Sequence, residues 1–395
     1  MKKTLILAAV AAIALSACSK NEILETIDKV PEEVAIGFSN YTPNSLTKAN
    51  DTYVASTSLV SGKQFAVYAW QTEYNNFLAV NPGDPNFMNP AVVNYTGDTS
   101  TGEGNTYDPI RYWPSGDNPQ NLSFAAYYPY GGAGITAPTF TTGVGTYAFT
   151  AQSTSAAMID FCVADVVNDQ VYGNTNDSPA GNKQTVKFTF KHQLTKVQFK
   201  FKTVDGLANT TVIELMDADL TGIKNAGTLT ATYTKNASPA VNALGTTDTN
   251  WDSVSGSASY DLTVNNVNPE DAAPIKLTTT ASTVHNNDIF LMVPQDMAAD
   301  VQKLVVKWKV KVYDTAAHAN DNGATGLLSE TVNTKTLSLY SDLVTSDSDD
   351  TTIAAINWAK NNFITYNITI GPKPIWFTAT VTGWDTEQNG YMNVN

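Results

Sequence analysis

Three histidines and two cysteines are the side chains best equipped for chemistry beyond the common carboxylates and lysines. His192, His285 and His318 are scattered along the chain. No pair has the H-E-x-x-H spacing that sets two imidazoles on one helical face around zinc. There is no G-x-S-x-G elbow for a nucleophilic serine and no phosphate-cradling G-x-x-x-x-G-K. The stretch HANDNGATGLLS places Asn320, Asn322 and Gly323 at calcium-loop offsets. His318 and Ser329 occupy its first and twelfth positions, where Asp and Glu are required, so it reads as a surface turn. Carboxylates are plentiful, but a glycosidase pair is defined by geometry and not by spacing. No catalytic residue, cofactor or metal set is expected. A net charge of −14 argues against nucleic acid as a partner and for a self-repelling surface.

The two thiols have different prospects. The opening MKKTLILAAVAAIALSACSKNE has a basic start at Lys2 and Lys3, an apolar run over 4–14 and a small-residue cleavage site. That is a secretory signal over residues 1–17, too short for a membrane span. Leu15-Ser16-Ala17-Cys18 resembles a bacterial lipobox, in which Cys18 becomes the acylated N-terminus. Two or three acyl chains would anchor firmly where one is marginal. Cys162 is then the lone remaining thiol, expected as a small buried residue rather than half of a disulfide.

Any site must be carried by strands, because period-two alternation dominates past residue 30. In VKFTFKH, Val186, Phe188 and Phe190 oppose Lys187, Thr189 and Lys191. KVQFKFK and KLVVKWKVKVY repeat the device, with Val197, Phe199 and Phe201, then Val306, Trp308, Val310 and Val312, on the apolar faces. These are half-buried antiparallel strands, and their lysine rows read as solvated faces that discourage edge-to-edge pairing. Stretches 165–184 and 235–257 are polar loops, and DDTTIAAINWAK at 349–360 is the best helical candidate. Many short strands with little helix predict β-sandwiches, divided near residue 192.

Several motifs recur in a telling order: YDPIRYWPSGDNPQNLSFAAYYP at 107–129, IDFCVA at 159–164, FKHQLTKVQF at 190–199, IFLMVPQ at 289–295, and NWAKNNFITYNITI at 357–370 followed by TATVTGW at 378–384. Together they resemble the fimbrillin family, the type V pilins of Gram-negative bacteria. One departure is Ala359-Lys360-Asn361, where the family usually has a glycine before the lysine. The resemblance implies an all-β chain of two tandem transthyretin-like β-sandwich domains of Greek-key type. It also implies an outer-membrane, surface-exposed lipoprotein that supports cell adhesion in a fimbrium. Its partners would be other fimbrillin subunits, membrane lipid through acylated Cys18, and a trypsin-like processing protease. Cleavage would remove an N-terminal strand, and a neighbour's C-terminal segment would fill the groove. The expected layout is a lipidated leader at 18–48, an N-terminal sandwich at 49–192 and a C-terminal sandwich at 193–395.

The chain has a residue set for each part of that scheme. EVAIGFSNY puts Val34, Ile36 and Phe38 on one face as the displaced strand, with Ala35, Gly37 and Ser39 on the other. The polar NSLTKAND offers Lys48-Ala49 as the cleavage point, preferred over Lys29-Val30. Family members commonly carry arginine there, whereas the sole arginine here is Arg111. The donor is one of two segments. PIWFTATVTGW alternates Ile375, Phe377 and Val381 on one face; if it is native to its own domain, the tail from Asp385 must donate, with only Tyr391, Met392 and Val394 apolar. The aromatic stretch is read as architecture: Tyr107, Tyr112, Trp113, Phe124, Tyr127 and Tyr128 close one end of the first sandwich, with Pro109, Pro114 and Pro129 fixing turns. Arg111 would lie across an aromatic face or pair with a carboxylate such as Asp108. The competing reading is a permanently tethered lipoprotein or tip adhesin that binds glycan or host protein.

Overall fold

The computed structural model describes residues 33–41, 62–72, 83–96, 105–114, 121–172, 185–234, 245–262, 274–283, 289–346, 349–372 and 375–384. Its first sheet runs in the order β1 (Gly37–Tyr41), β9 (Thr185–His192), β7 (Cys162–Ala164), β4 (Asn121–Tyr128), β2 (Gln64–Thr72) and β3 (Met88–Asn94), with β8 (Val167–Gln170) also on β4. A second sheet, β13 (Thr246–Ser255), β12 (Ala226–Thr234), β6 (Val144–Thr150) and β5 (Thr139–Thr141), covers one of its faces. Tyr68, Trp70 and Tyr127 from the first sheet pack there on Phe140 and Tyr147 from the second.

The opposite face of the first sheet is also buried, which is why every residue of β4 is buried and the strand shows no alternation. The sheet curls on itself. Phe188 and Phe190 of β9 meet Phe65 of β2 at 6.2 and 5.7 Å between ring centroids, although two strands separate β9 from β2. This interior forms a core of its own around Phe38, Phe65, Phe124, Phe188 and Phe190.

The second sandwich pairs the sheet β16 (Phe290–Met292), β10 (Thr195–Thr203), β21 (Asn362–Ile370) and β22 (Ile375–Gly383) with the sheet β14 (Ala258–Asp261), β11 (Thr211–Ile223), β17 (Lys303–Tyr313) and β18 (Leu327–Ser338), to which β15 (Ile275–Lys276) adds on β11. A small ribbon joins β19 (Val344–Ser346) to β20 (Asp349–Thr352). The chain is therefore all-β, with two transthyretin-like sandwiches. Residue 192, where the sequence suggests a division, ends β9. The β12–β13 hairpin lies beyond it yet hydrogen-bonds to β6, so one cut at 192 does not separate the sandwiches.

Three expectations need correction. The stretches 165–184 and 235–257, read as loops, carry the buried strand β8 and the strand β13, which long-range pairing with β4 and β12 imposes on polar residues. Residues 349–360 are not helical: 349–352 form β20, and Trp358 bridges Gln295 while its indole donates to the Tyr366 hydroxyl at 2.9 Å. Burying Trp358 outweighs a helix of about three turns with few partners. The α-helix among the described residues, α1 (Ala316–Asp321), instead opens the HANDNG stretch. Thr315 caps its start, and Asn322 ends it with φ 51°, a left-handed conformation asparagine tolerates. The lysine rows are mostly peripheral, but Lys196 is buried, with its ammonium 4.8 Å from the Phe363 ring centre and 5.5 Å from that of Trp384.

Candidate functional site

The first described strand, β1, is the expected displaced strand, and the structure holds it along both edges. On one side it pairs in parallel with β9, from Gly37 opposite Thr185 to Tyr41 opposite Thr189. On the other side it meets the aromatic stretch. Ala35 bridges Tyr112, the Ile36 amide donates to the Arg111 carbonyl at 2.9 Å, and the Trp113 amide donates to the Val34 carbonyl at 2.9 Å. The same stretch is tied to β3, since Asn94 bridges Thr106. Residues 105–113 thus close the seam between the two ends of the curled sheet, β3 and β1.

Side chains complete the clamp. The Tyr107 hydroxyl donates to the Ile36 carbonyl at 2.9 Å and accepts from the Arg111 amide at 3.2 Å. Burial pushes that hydroxyl above its usual range, so it remains a donor. Asn105 donates to the Phe38 carbonyl at 2.9 Å. Alternation then decides what β1 and the residues leading into it, 34–36, bury. Ile36 and Phe38 are 2% and 1% exposed and Val34 is half-buried against the same core. The Phe38 ring lies 5.2 Å from Tyr107, 5.9 Å from Phe188 and 6.0 Å from Phe124. The other face is tight as well. Ser39 is fully buried, and a Cβ on Gly37 would stand 3.0 Å from the Thr185 hydroxyl. The seat accepts a strand with large apolar residues at alternate positions and small ones between.

The aromatic stretch is therefore placed differently from the sandwich end cap expected of it. Tyr107 and Trp113 line the β1 seat, whereas Tyr112 is 41% exposed. Phe124 and Tyr128 belong to the curled core, but Tyr127 points to the opposite face and packs on Tyr147. Arg111 takes the aromatic alternative, with its guanidinium carbon 6.0 Å from the Phe87 ring centre.

Of the two donor candidates, Ile375, Phe377 and Val381 lie in β22, which pairs along its whole length with β21 in its own sandwich. That segment is native to its domain. Cys18, Lys29, Lys48, Ala49, Tyr391, Met392 and Val394 lie outside the described residues.

A second cluster escaped sequence reasoning because His192 stands 30 residues from Cys162 in the chain. Asp160, Cys162 and His192 converge where β7 meets the end of β9, all at most 2% exposed. The His192 Nδ1 lies 3.1 Å from Asp160 Oδ1 and 3.5 Å from Cys162 Sγ, and that sulfur lies 3.6 Å from the same carboxylate oxygen. Their signal was present only in pieces, in IDFCVA and FKHQLTKVQF. On its other side the His192 ring stacks on Trp384 at 4.1 Å and 9°.

A family profile described as fimbrillin-like matches residues 47–384. The fimbrium subunit Fim1C of Phocaeicola vulgatus is 29% identical over 272 residues, covering 65% of this chain. The chain spans 63% of that relative's length. A solved fimbrial protein from Bacteroides vulgatus superposes with a TM-score of 0.50 at 17% identity, over 89% of this chain and 99% of that one. The overall fold is shared with it.

Proposed function

Because the chain belongs to the fimbrillin-like family, we propose that it is a subunit of a surface fimbrium that supports cell adhesion, assembled by exchange of its first strand. It is exported as an outer-membrane lipoprotein through Cys18. A trypsin-like protease cuts between Lys48 and Ala49, which severs β1 from the body of the chain. The C-terminal segment of another fimbrillin subunit then takes the seat. Family membership points to assembly and not to an enzyme class.

The observation that carries this reading is the two-edged clamp on β1. Removing the strand would leave β9 and residues 105–113 with unpaired backbone groups above an apolar floor, which a second strand satisfies best. Each buried apolar side chain contributes ~1.5–3 kcal/mol, so Ile36 and Phe38 keep a merely nicked strand in place until a replacement arrives. Because β22 pairs along its whole length with β21, the tail from Asp385 is the donor favoured in this scheme. Its apolar content is thin, which favours as a second reading a permanently tethered lipoprotein or tip subunit that gives no strand and binds glycan or host protein.

Intact mass and N-terminal sequencing of the protein recovered from the cell surface test the proposal. A chain that starts at Ala49 is expected. An acylated Cys18 with the leader retained would overturn processing and leave the tethered reading.

A further inference from the structure

We propose that Asp160, Cys162 and His192 form a binding site for a zinc-class divalent ion, which braces β7 to β9, the strand that carries β1. The argument begins with the triangle of donor atoms. Tetrahedral zinc, with bonds of about 2.0 Å to oxygen and nitrogen and about 2.3 Å to sulfur, holds its N and O ligands roughly 3.3 Å apart and each of them roughly 3.5 Å from sulfur. The three atoms here stand 3.1, 3.5 and 3.6 Å apart, as one face of such a tetrahedron does.

Proton counting points the same way. Three mutual contacts join these atoms, but a thiol and a neutral imidazole supply at most one proton each and an ionised carboxylate none. The imidazole N–H faces both carboxylate oxygens, at 3.0 and 3.1 Å, and the thiol reaches one of them, so the contact without a hydrogen is the 3.5 Å approach of Nδ1 to sulfur. An ion at the apex makes all three favourable. Binding transfers the Cys162 proton to solvent and leaves His192 neutral with its proton on Nε2. The thiolate and the carboxylate cancel the two positive charges, so the buried site carries no net charge, as burial demands. Nitrogen, sulfur and oxygen together suit zinc or cobalt better than calcium or magnesium.

Cavities flank the cluster. Asp160 is among the residues that line one of about 380 Å³ beside Tyr128, Pro129 and Gly132, while its carboxylate is itself buried. His192 is among the residues that line another, of about 560 Å³. The cluster joins the residues entering β7, β7 itself and the last residue of β9, the strand on which β1 rests.

Cobalt(II) is the probe. The full chain carries Cys18→Ser, so that Cys162 is its sole thiol, and is refolded with and without the ion. One cobalt per chain is expected, with the near-ultraviolet thiolate-to-cobalt absorption band, and zinc displaces it. Cys162→Ala should abolish the band and weaken zinc at least ~10-fold, since even outer-shell changes cost 10- to 100-fold. Its melting without metal should change little. Should that variant not fold, X-ray absorption of the cobalt-loaded parent decides by finding or missing one sulfur neighbour. A parent that shows no band with excess cobalt, or a band that persists in Cys162→Ala, would overturn the site and leave a hydrogen-bonded triad.

Discussion

Asp219 stands directly across from Asp261 on neighbouring strands, with Asp217 close by. Partial burial, and then these two like charges, push its pKa up to about 6 from an ordinary 3.8. The folded chain holds this proton more tightly than the unfolded chain does. Stability therefore rises as pH falls from 7 through about 6, and is lost again as pH climbs through that value. Asp219→Asn should raise the melting temperature at pH 7 and flatten its slope between pH 7 and 5. Parallel melting profiles for variant and parent would show that Asp219 is not strained. Phe38 has the opposite character. Three aromatic neighbours surround it, each such pair adding ~0.5–1.5 kcal/mol beyond burial. The two residues show why strand faces differ in consequence: one repeats a charge the fold must tolerate, and the other supplies an anchor.

At the scale of elements, β1 is held by hydrogen bonds whose partners differ in kind, a regular strand on one edge and an irregular loop on the other. Tyr107 is one of the loop's side-chain claims on it, beside Asn105. In a chain cut after Lys48, Tyr107→Phe should shorten the residence of β1 by ~5- to 30-fold, the effect of about 1–2 kcal/mol for a lost buried hydrogen bond. Release timed by mass spectrometry reads this, and unchanged release would show that the hydroxyl adds nothing to the backbone bonds on the two edges. The strands of this structure were legible in the sequence wherever one face meets water. Val186, Phe188, Phe190, Val306 and Trp308 are buried in the alternation read for them. Burial of Ile36 and Phe38 followed the same rule. The clamp was not legible, because isolated bridges at Ala35–Tyr112 and Asn94–Thr106 impose no period on residues 105–113. Nor was Lys196, whose burial depends on rings that arrive from β21 and the end of β22. Helix placement failed for a related reason: local propensity at 349–360 yields to the long-range demand of Trp358.

At the scale of the molecule, one hydrophobic core runs through both sandwiches, from Tyr68 and Trp70 through Phe149 and Phe161 to Trp308 and Tyr366. The two sandwiches should therefore melt together. Calorimetry is expected to show a single endotherm whose van 't Hoff and calorimetric enthalpies agree, and two resolved endotherms would contradict the shared core. The crossing hairpin deepens this unity. Residues 226–255 complete a sheet that β6 begins, with Leu229 opposite Tyr147 and Thr232 opposite Val144. A recombination event at residue 192 between two such genes would hand one lineage's β6 to another lineage's β12, with every facing side chain mismatched at once. The heritable unit of this architecture is then the whole chain, and a graft that exchanges one half must carry the β12–β13 hairpin with the half it serves.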